Sequence, residues 1–376
     1  MKLNPVVTAL SAAVVLWSAT AQSAPTYSAI TLDPLGADFN IPSKINGSGQ
    51  IVINTYTNKF GSHIYGTLLY SGGVMTDLGN LGGSSYSRAY GINDNGQVVG
   101  ESSRADGTTH AFLYSGGAMT DLGTLGGSSS LARDINDRGQ IVGHSSIADG
   151  TNHAFLYDNR AMTDLAPLGE NHSGAIGINA SGQIVGTYSV PAGGTVGGTY
   201  IRSFLYSGGT MTDLGTLGGP NSEATGINDN GQIVGSSSLA DGTWHAFLYS
   251  GGTMTDLGTL GGSNSRAFGI NNHGQVVGES DGGLGSRSGF LYSGDTMIDL
   301  NSLIDPLAGI IYSANDINDS GQIAAEGCST GCFRTLLLSP VPEPEIYIMM
   351  LAGLGLIGGM ARRQKSMLQR GKAHSA

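Results

Sequence analysis

The fold is decided by the stretch HAFLYSGGTMTDLGTLGG, residues 245–262, which recurs along almost the whole chain. Copies of varying fidelity begin at or near Gly66, His110, His153, Arg202 and Ser288. The spacing between copies is about 43 residues. A repeat of this length indicates one supersecondary unit copied in tandem, each copy burying its apolar surface against its neighbours. We therefore expect one large repeat domain.

A second motif, GINDNGQVVGESS at residues 91–103, lies between successive copies of the first. It occurs seven times with the skeleton Ile, Asn, two variable residues, Gly, Gln. Its asparagines are Asn46, Asn93, Asn136, Asn179, Asn228, Asn271 and Asn318. Two apolar runs joined by N-x-x-G indicate a hairpin in which asparagine closes a type I turn and glycine takes the left-handed position.

Each unit therefore contains four short strands. The first ends at G-I-N, the second is G-Q-[IV]-V-G, the third is H-A-F-L-Y and the fourth is M-T-D-L-G. Consecutive apolar residues in the second and third strands require that both sheet faces be covered. Seven such units predict an all-β fold, a seven-bladed β-propeller of four-stranded repeats. The segment 27–36 resembles a fourth strand and 333–340 a third strand, so we expect the N-terminal strand to close the ring. A solenoid of stacked sheets is the alternative.

Composition and charge exclude some partners. The chain has 376 residues, 62 of them glycine, and only 12% are charged. The evenly spaced apolar runs favour packed β-structure over the disorder that such a composition otherwise signals. The formal net charge is −11, and an acidic protein does not attract a phosphate backbone. We expect no nucleic-acid partner.

The two ends indicate export. Residues 1–24 have the basic start, apolar centre and small residues of a signal peptide, and residues 25–340 form the repeat domain. Residues 341–365 contain an apolar run, 346–360, that predicts a short transmembrane helix. Basic residues follow it, and residues 366–376 form a basic tail expected on the cytoplasmic side.

Candidate chemistry in the repeats is sparse. A recurring aspartate of the fourth strand is interpreted as a backbone cap, and the histidine before A-F-L-Y as a capping residue. The aspartates are Asp77, Asp121, Asp164, Asp213, Asp256 and Asp299, and the histidines are His110, His153 and His245. Calcium binding by the N-D-N-G turns is the alternative considered for a metal. We predict no catalytic, cofactor-binding or metal-binding residue, and a local disulfide between Cys328 and Cys332.

The C-terminal segment resembles a PEP-CTERM sorting signal, with Pro342, Glu343 and Pro344 as the motif and Arg362 and Arg363 after the apolar run. This resemblance implies transient anchoring in a bacterial inner membrane, processing by an exosortase-type enzyme, and a surface or extracellular destination in bacteria that make exopolysaccharide. The body resembles the HAF-repeat family of extracellular proteins, named for the His-Ala-Phe at 110–112, 153–155 and 245–247. That family carries no assigned catalytic residues.

Together these observations predict an exported cell-surface or extracellular-matrix protein with a non-catalytic structural, adhesive or polysaccharide-associated role. The alternative is a polysaccharide-modifying enzyme, a hydrolase or lyase, with its active site in the propeller channel. Residues that break the repeat on one face would favour the enzyme. Four aromatic residues are candidates for stacking on sugar rings, although aromatic residues in loops more often pack against the next blade: Tyr188, Tyr200, Trp244 and Tyr312.

Overall fold

The computed structural model describes residues 26–33, 37–59, 62–165, 172–192, 198–283, 285–328 and 333–341. Across these ranges the secondary structure consists of 28 β-strands and two short 3-10 helices, Leu300–Ser302 and Pro306–Ala308. The all-β prediction is confirmed. In the same ranges no helix is long and apolar enough to cross a membrane. The signal peptide, the apolar run 346–360 and the residues of the sorting motif lie outside the described residues.

The strands follow the sequence repeats closely. Strand β1 spans Tyr27–Leu32. The first repeat forms β2 to β5 at Phe39–Ile45, Ile51–Lys59, Ser62–Ser71 and Val74–Asp77. The second forms β6 to β9 at Gly82–Ile92, Val98–Arg104, Thr109–Ser115 and Ala118–Asp121. The third forms β10 to β13 at Ser130–Ile135, Ile141–Ser146, Asn152–Asp158 and Ala161–Asp164.

The later repeats have the same order. The fourth forms β14 to β17 at Ser173–Ile178, Ile184–Pro191, Thr199–Ser207 and Thr210–Asp213. The fifth forms β18 to β21 at Ser222–Ile227, Ile233–Ser238, Trp244–Ser250 and Thr253–Asp256. The sixth forms β22 to β25 at Gly261–Ile270, Val276–Gly282, Arg287–Ser293 and Thr296–Asp299. The seventh forms β26 to β28 at Ile310–Ile317, Ile323–Cys328 and Phe333–Pro340.

Within each repeat, neighbouring strands pair antiparallel in sequence order. Repeats three to six each form a separate four-stranded sheet. The seventh repeat recruits β1, which pairs antiparallel with β28 from Tyr27 opposite Pro340 to Leu32 opposite Thr335. The first two repeats belong to one eight-stranded sheet, because a single parallel bridge between Tyr65 and Tyr86 joins β4 to β6.

The core lies between adjacent repeats. The phenylalanine of each H-A-F-L-Y strand is completely buried: Phe112, Phe155, Phe204, Phe247 and the equivalent Phe290. Phe155 shows the pattern, since it packs with Ile141 of its own repeat against Val99 and Leu122 of the preceding one. Burying a phenylalanine side chain stabilises a fold by about 2 kcal/mol, so this contact, made between successive repeats, holds the sheets face to face.

Close packing also explains the glycine that the second strand carries in five of the seven repeats, where Ile53 and Ala325 stand in the other two. A Cβ atom built on Gly235 would overlap the backbone carbonyl of Glu223 in the neighbouring strand. A side chain at Gly235 would therefore push these two strands apart. In these five repeats the glycine of [IV]-V-G therefore reflects a close approach of the two backbones.

The sheets present two ends. The "turn face" carries the seven asparagine turns, at the end of each first strand. The "loop face" is the opposite end, where hairpin loops join the second strand to the third. Examples are Gln50 on the turn face and Asp106 on the loop face.

Candidate functional site

The asparagine turns have the predicted geometry. In the fifth repeat the amide of Gly231 donates to the carbonyl of Asn228 at 3.0 Å. Gly231 has φ = 76°, the left-handed conformation. The side-chain Oδ1 of Asn228 accepts from the backbone N of Gln232 at 2.9 Å, and its Nδ2 donates to Gln232 Oε1 at 2.8 Å. The Asn-x-x-Gly-Gln skeleton is thus a self-contained network that fixes the hairpin.

The same asparagines also link the repeats. Each Nδ2 donates to the backbone carbonyl of the asparagine in the next repeat, and these bonds are 3.0–3.1 Å long. The last of them runs from Asn318 back to Asn46 at 3.0 Å. The bonds are buried, so water does not compete for them. We call the seven side chains together the asparagine ring.

A second set of bonds surrounds the asparagine ring, made by the residue that follows each asparagine. The backbone N of Asp94 donates to Asp137 Oδ1 at 2.8 Å, and that of Ala180 to Asp229 Oδ1 at 2.9 Å. Asn272 Nδ2 donates to Asp229 Oδ2 at 3.1 Å and to Asp319 Oδ2 at 3.0 Å. The carboxylates of the turn face therefore hold neighbouring turns together, and this face is acidic.

The turns surround a cavity of about 200 Å³ at the centre of the turn face, lined by residues of all seven repeats. Three charged side chains lie in its wall at the position just before the Ile-Asn pair: Lys44, Asp134 and Asp316. The other four repeats have glycine there: Gly91, Gly177, Gly226 and Gly269. These three side chains break the repeat inside the cavity.

The two aspartates also bind the backbone of the next repeat. Asp316 Oδ2 accepts from the N of Ile45 at 3.0 Å, and Asp134 Oδ2 accepts from the N of Ile178 at 3.0 Å. Lys44 Nζ lies 4.0 Å from Asp316 Oδ1. The pKa of Lys44 is raised to about 12, chiefly by the charge of Asp316 and against the effect of burial. Burial raises the pKa of both carboxyls, while Lys44 opposes that rise.

These three residues were not singled out from the sequence, although a signal was present. The motif begins G-I-N in most copies but K-I-N at Lys44 and D-I-N at Asp134 and Asp316. Only the arrangement of the repeats around one cavity brings these residues together, because they are far apart in the chain.

In five repeats the recurring aspartate of the fourth strand is a backbone cap, as predicted. The amide of the glycine two residues later donates to Asp77, Asp121, Asp213 and Asp256 at 2.6–2.9 Å. Asp299 accepts in the same way from Asn301 N at 2.9 Å. The three repeated histidines each contact the aspartate of their own repeat through Nδ1, as in the 2.7 Å contact of His153 with Asp164.

The aromatic candidates have different environments. Tyr188 is buried, packs on Phe204 and donates to Asp213 Oδ2 at 2.8 Å, and burial together with that bond raises its pKa to about 12. Tyr200 is exposed and Trp244 half-buried. Tyr312 packs against Phe333 at a ring distance of 5.6 Å. Tyr188 is therefore a packing residue and does not offer a ring face to solvent.

Two further predictions concern metal and disulfide sites. Within the described ranges, no group of three or more His, Cys, Asp or Glu residues is placed to hold a metal ion. Cys332 lies outside the described residues, so its disulfide with Cys328 stays a prediction.

One protein-family model matches the chain. Residues 340–365 match the PEP-CTERM protein-sorting motif, which supports the interpretation of the C-terminal segment. The match implies export, sorting to the cell surface and processing by an exosortase-type enzyme. A search of curated proteins finds no match.

Solved structures support the propeller fold. The β-propeller domain of the Trilobed protease from Pyrococcus furiosus is similar over 80% of this chain and 95% of its own, with a TM-score of 0.56 and 8% identity. An acylaminoacyl peptidase from Pyrococcus horikoshii is similar over 83% of this chain and 54% of its own, with a TM-score of 0.52 and 12% identity. The chain spans about half the length of that peptidase. At these identities the likeness shows a shared β-propeller fold alone.

Proposed function

We propose that the chain is a closed, seven-bladed propeller of the HAF-repeat type that serves as a non-catalytic surface or matrix protein associated with exopolysaccharide. Two observations support the blade count. The first two repeats are joined by one bridge, Tyr65–Tyr86, so each is treated as a separate blade of four strands. The pairing of β1 with β28 and the bond from Asn318 to Asn46 support closure.

The observation that carries the non-catalytic role is how the repeated polar side chains are used. The conserved positions of the repeat (Asn and Gln of the turns, Asp of the fourth strand) bind backbone groups or one another, as Asn228, Gln232 and Asp256 do. Groups with such partners stabilise the fold and hold its shape. Because these repeated polar groups hold the fold together, we assign the function to the surface of the protein and to its destination outside the cell. The sorting motif at 340–365 supports that destination.

Processing is tested on the exported protein. Surface and secreted fractions of the producing cells are analysed by mass spectrometry, in the wild type and in a variant with Pro342→Ala and Pro344→Ala. We expect the wild-type surface form to lack the basic tail, and the variant to stay in the membrane fraction with the tail intact. A matched change at an exposed apolar position of the repeat domain, Val74→Ala, is expected to leave sorting unchanged. An intact tail on the wild-type surface form would contradict the proposal.

A second candidate function is polysaccharide cleavage in the central cavity, as a hydrolase or lyase. The observation that favours it is the break in the repeat at Lys44, Asp134 and Asp316, which brings one cation and two carboxyls into one cavity. Product release from exopolysaccharide, lost in Lys44→Met and in Asp134→Asn, would establish this function. Both carboxyls already accept backbone hydrogen bonds, so we place this candidate second.

A further inference from the structure

A continuous row of aromatic rings crosses the loop face where the last repeat meets the first two. We call this row the aromatic strip; in order it consists of Tyr312, Phe333, Phe39, Tyr56, Tyr65 and Tyr86. Successive ring centroids are 5.6, 6.2, 6.0, 5.2 and 5.6 Å apart. The rings therefore touch from one end of the strip to the other, across three repeats.

The strip exists because these repeats depart from the common pattern. Strand register places Phe39, Tyr56 and Tyr65 side by side in the first repeat. In the third repeat the same row reads Ser129, Ser146 and Asn152. The residue equivalent to Phe39 in the first strand is polar in repeats three to six: Ser129, His172, Asn221 and Asn264. The packing of the repeat does not require rings there, so the aromatic residues need another explanation.

The two phenylalanines of the strip are exposed, its four tyrosines are partly buried, and the whole strip is rigidly supported. The exposed fractions of Phe39 and Phe333 are 42% and 44%. Every ring belongs to a β-strand, and the hairpin of β3 and β4 extends the sheet at its side, with Thr57 still paired to Ile64 beyond the Tyr56–Tyr65 pair. Binding to such a surface freezes few side-chain torsions, so little of the contact energy is lost to ordering.

The charges around the strip are paired. Glu101 accepts from Tyr86 Oη at 2.6 Å and from Tyr90 Oη at 3.0 Å. The guanidinium of Arg88 lies 5.8 Å from the centre of the Tyr65 ring, and Arg334 Nε lies 3.1 Å from Asp33 Oδ1. No excess of positive charge surrounds these described residues, and the whole chain has a net charge of −11. A polyanion, whether nucleic acid or acidic polysaccharide, would therefore find no net positive charge here to attract it.

We propose that the aromatic strip binds a neutral polysaccharide chain, whose pyranose rings stack with their apolar faces on Phe39, Phe333 and the tyrosines beside them. This inference rests on the proposed polysaccharide role and adds to it the place of contact and the charge class of the glycan. The touching rings, inclined by 41–65° to one another, form a continuous apolar track that fits a linear polymer. The tyrosine hydroxyls and the paired charges at the edge of the strip provide hydrogen-bond partners for sugar hydroxyls.

The test uses the exported, processed protein in affinity electrophoresis through gels that contain a soluble neutral β-glucan, dextran or alginate. We expect retardation by a neutral glucan and none by alginate. The double variant Phe39→Ala, Phe333→Ala is expected to bind at least about tenfold more weakly, a loss of about 1.4 kcal/mol, because both exposed rings of the strip are removed. The milder pair Phe39→Leu, Phe333→Leu retains apolar bulk without a ring, and we expect the same loss.

Tyr200→Ala is the matched control, since Tyr200 is an exposed aromatic residue outside the strip. Its binding is expected to equal that of the wild type. Equal binding by the strip variants would overturn the proposal while leaving the polysaccharide role intact. Retardation by alginate alone would also overturn it. So would a sedimentation experiment in which the wild type is a dimer and the strip variants are not, while no glycan binds to either. Failure to bind any glycan, including the producing cell's own exopolysaccharide, would refute the proposed function as well.

Discussion

Removing one side chain of the asparagine ring, in the variant Asn228→Ala, is expected to destabilise the protein strongly. The change deletes the 3.0 Å bond to the carbonyl of Asn271, the 2.8 Å bond to Gln232 Oε1, and the Oδ1 that accepts from Gln232 N at 2.9 Å. Asn228 is only 4% exposed, so water does not replace these partners. With about 1–3 kcal/mol for each buried group left unpaired, we expect the free energy of unfolding to fall by about 2–4 kcal/mol.

The control is in the same turn. Asn230 Nδ2 donates to the carbonyl of Asn272 at 2.8 Å, the same kind of bond to the same neighbouring repeat, but an exposed one. We expect Asn230→Ala to cost less than about 1 kcal/mol, because water takes over the bond. Asn228→Asp retains the acceptor Oδ1 but loses Nδ2 and places a carboxyl in this buried site, so it tests the bonds to the carbonyl of Asn271 and to Gln232 Oε1 together.

The assay is equilibrium unfolding in guanidinium chloride, followed by far-ultraviolet circular dichroism. The change in the free energy of unfolding is calculated from the shift in midpoint, with the slope of free energy against denaturant concentration unchanged. A loss in Asn228→Ala no larger than that in Asn230→Ala would refute the reasoning, since burial would then add nothing. An unchanged midpoint in Asn228→Asp would show that the two bonds donated by Nδ2 do not stabilise the fold.

Three further outcomes are expected from the same unfolding assay. Gly235→Ala should lower the unfolding midpoint, because its Cβ would overlap the carbonyl of Glu223, and an unchanged midpoint would contradict this. Burial, with a smaller contribution from Arg133, lowers the pKa of His144 from 6.5 to about 4. The free energy of unfolding should therefore fall as the pH drops from 6.5 to 4, and His144→Gln should reduce this dependence on pH. Lys44→Met should cost about 2 kcal/mol at pH 7 and less at pH 4, where the nearby carboxyls are more protonated; a loss independent of pH would contradict the pairing.

The local structure of the repeat could be predicted from the sequence because its determinants are local. The Asn-x-x-Gly-Gln skeleton indicates the turn, and Gly231 with its positive φ takes the predicted conformation. The aspartate of the fourth strand was correctly interpreted as a cap, as Asp256 shows with its 2.7 Å bond from Gly258 N. Both features depend on contacts within a few residues.

What the sequence did not reveal depends on how the repeats are arranged in space. The second role of Asn228, its bond to Asn271, appears only once neighbouring turns lie side by side. Phe39 and Phe333 are near opposite ends of the chain, and only the packing of the last repeat on the first brings their rings to 6.2 Å. Four tyrosine and tryptophan residues were selected from the sequence by type alone, and of these only Tyr312 belongs to the aromatic strip.

The central claim is that this is a polysaccharide-associated surface protein without catalytic activity, and one measurement tests it most directly. The processed protein is incubated with the producing cell's own exopolysaccharide, sedimented with it, and the supernatant is assayed for new reducing ends and unsaturated sugars. We predict that the protein is retained on the polymer and that no product appears. Release of product would contradict the claim and favour an enzyme acting through the cavity of Lys44, Asp134 and Asp316; absence of retention would contradict the polysaccharide role itself.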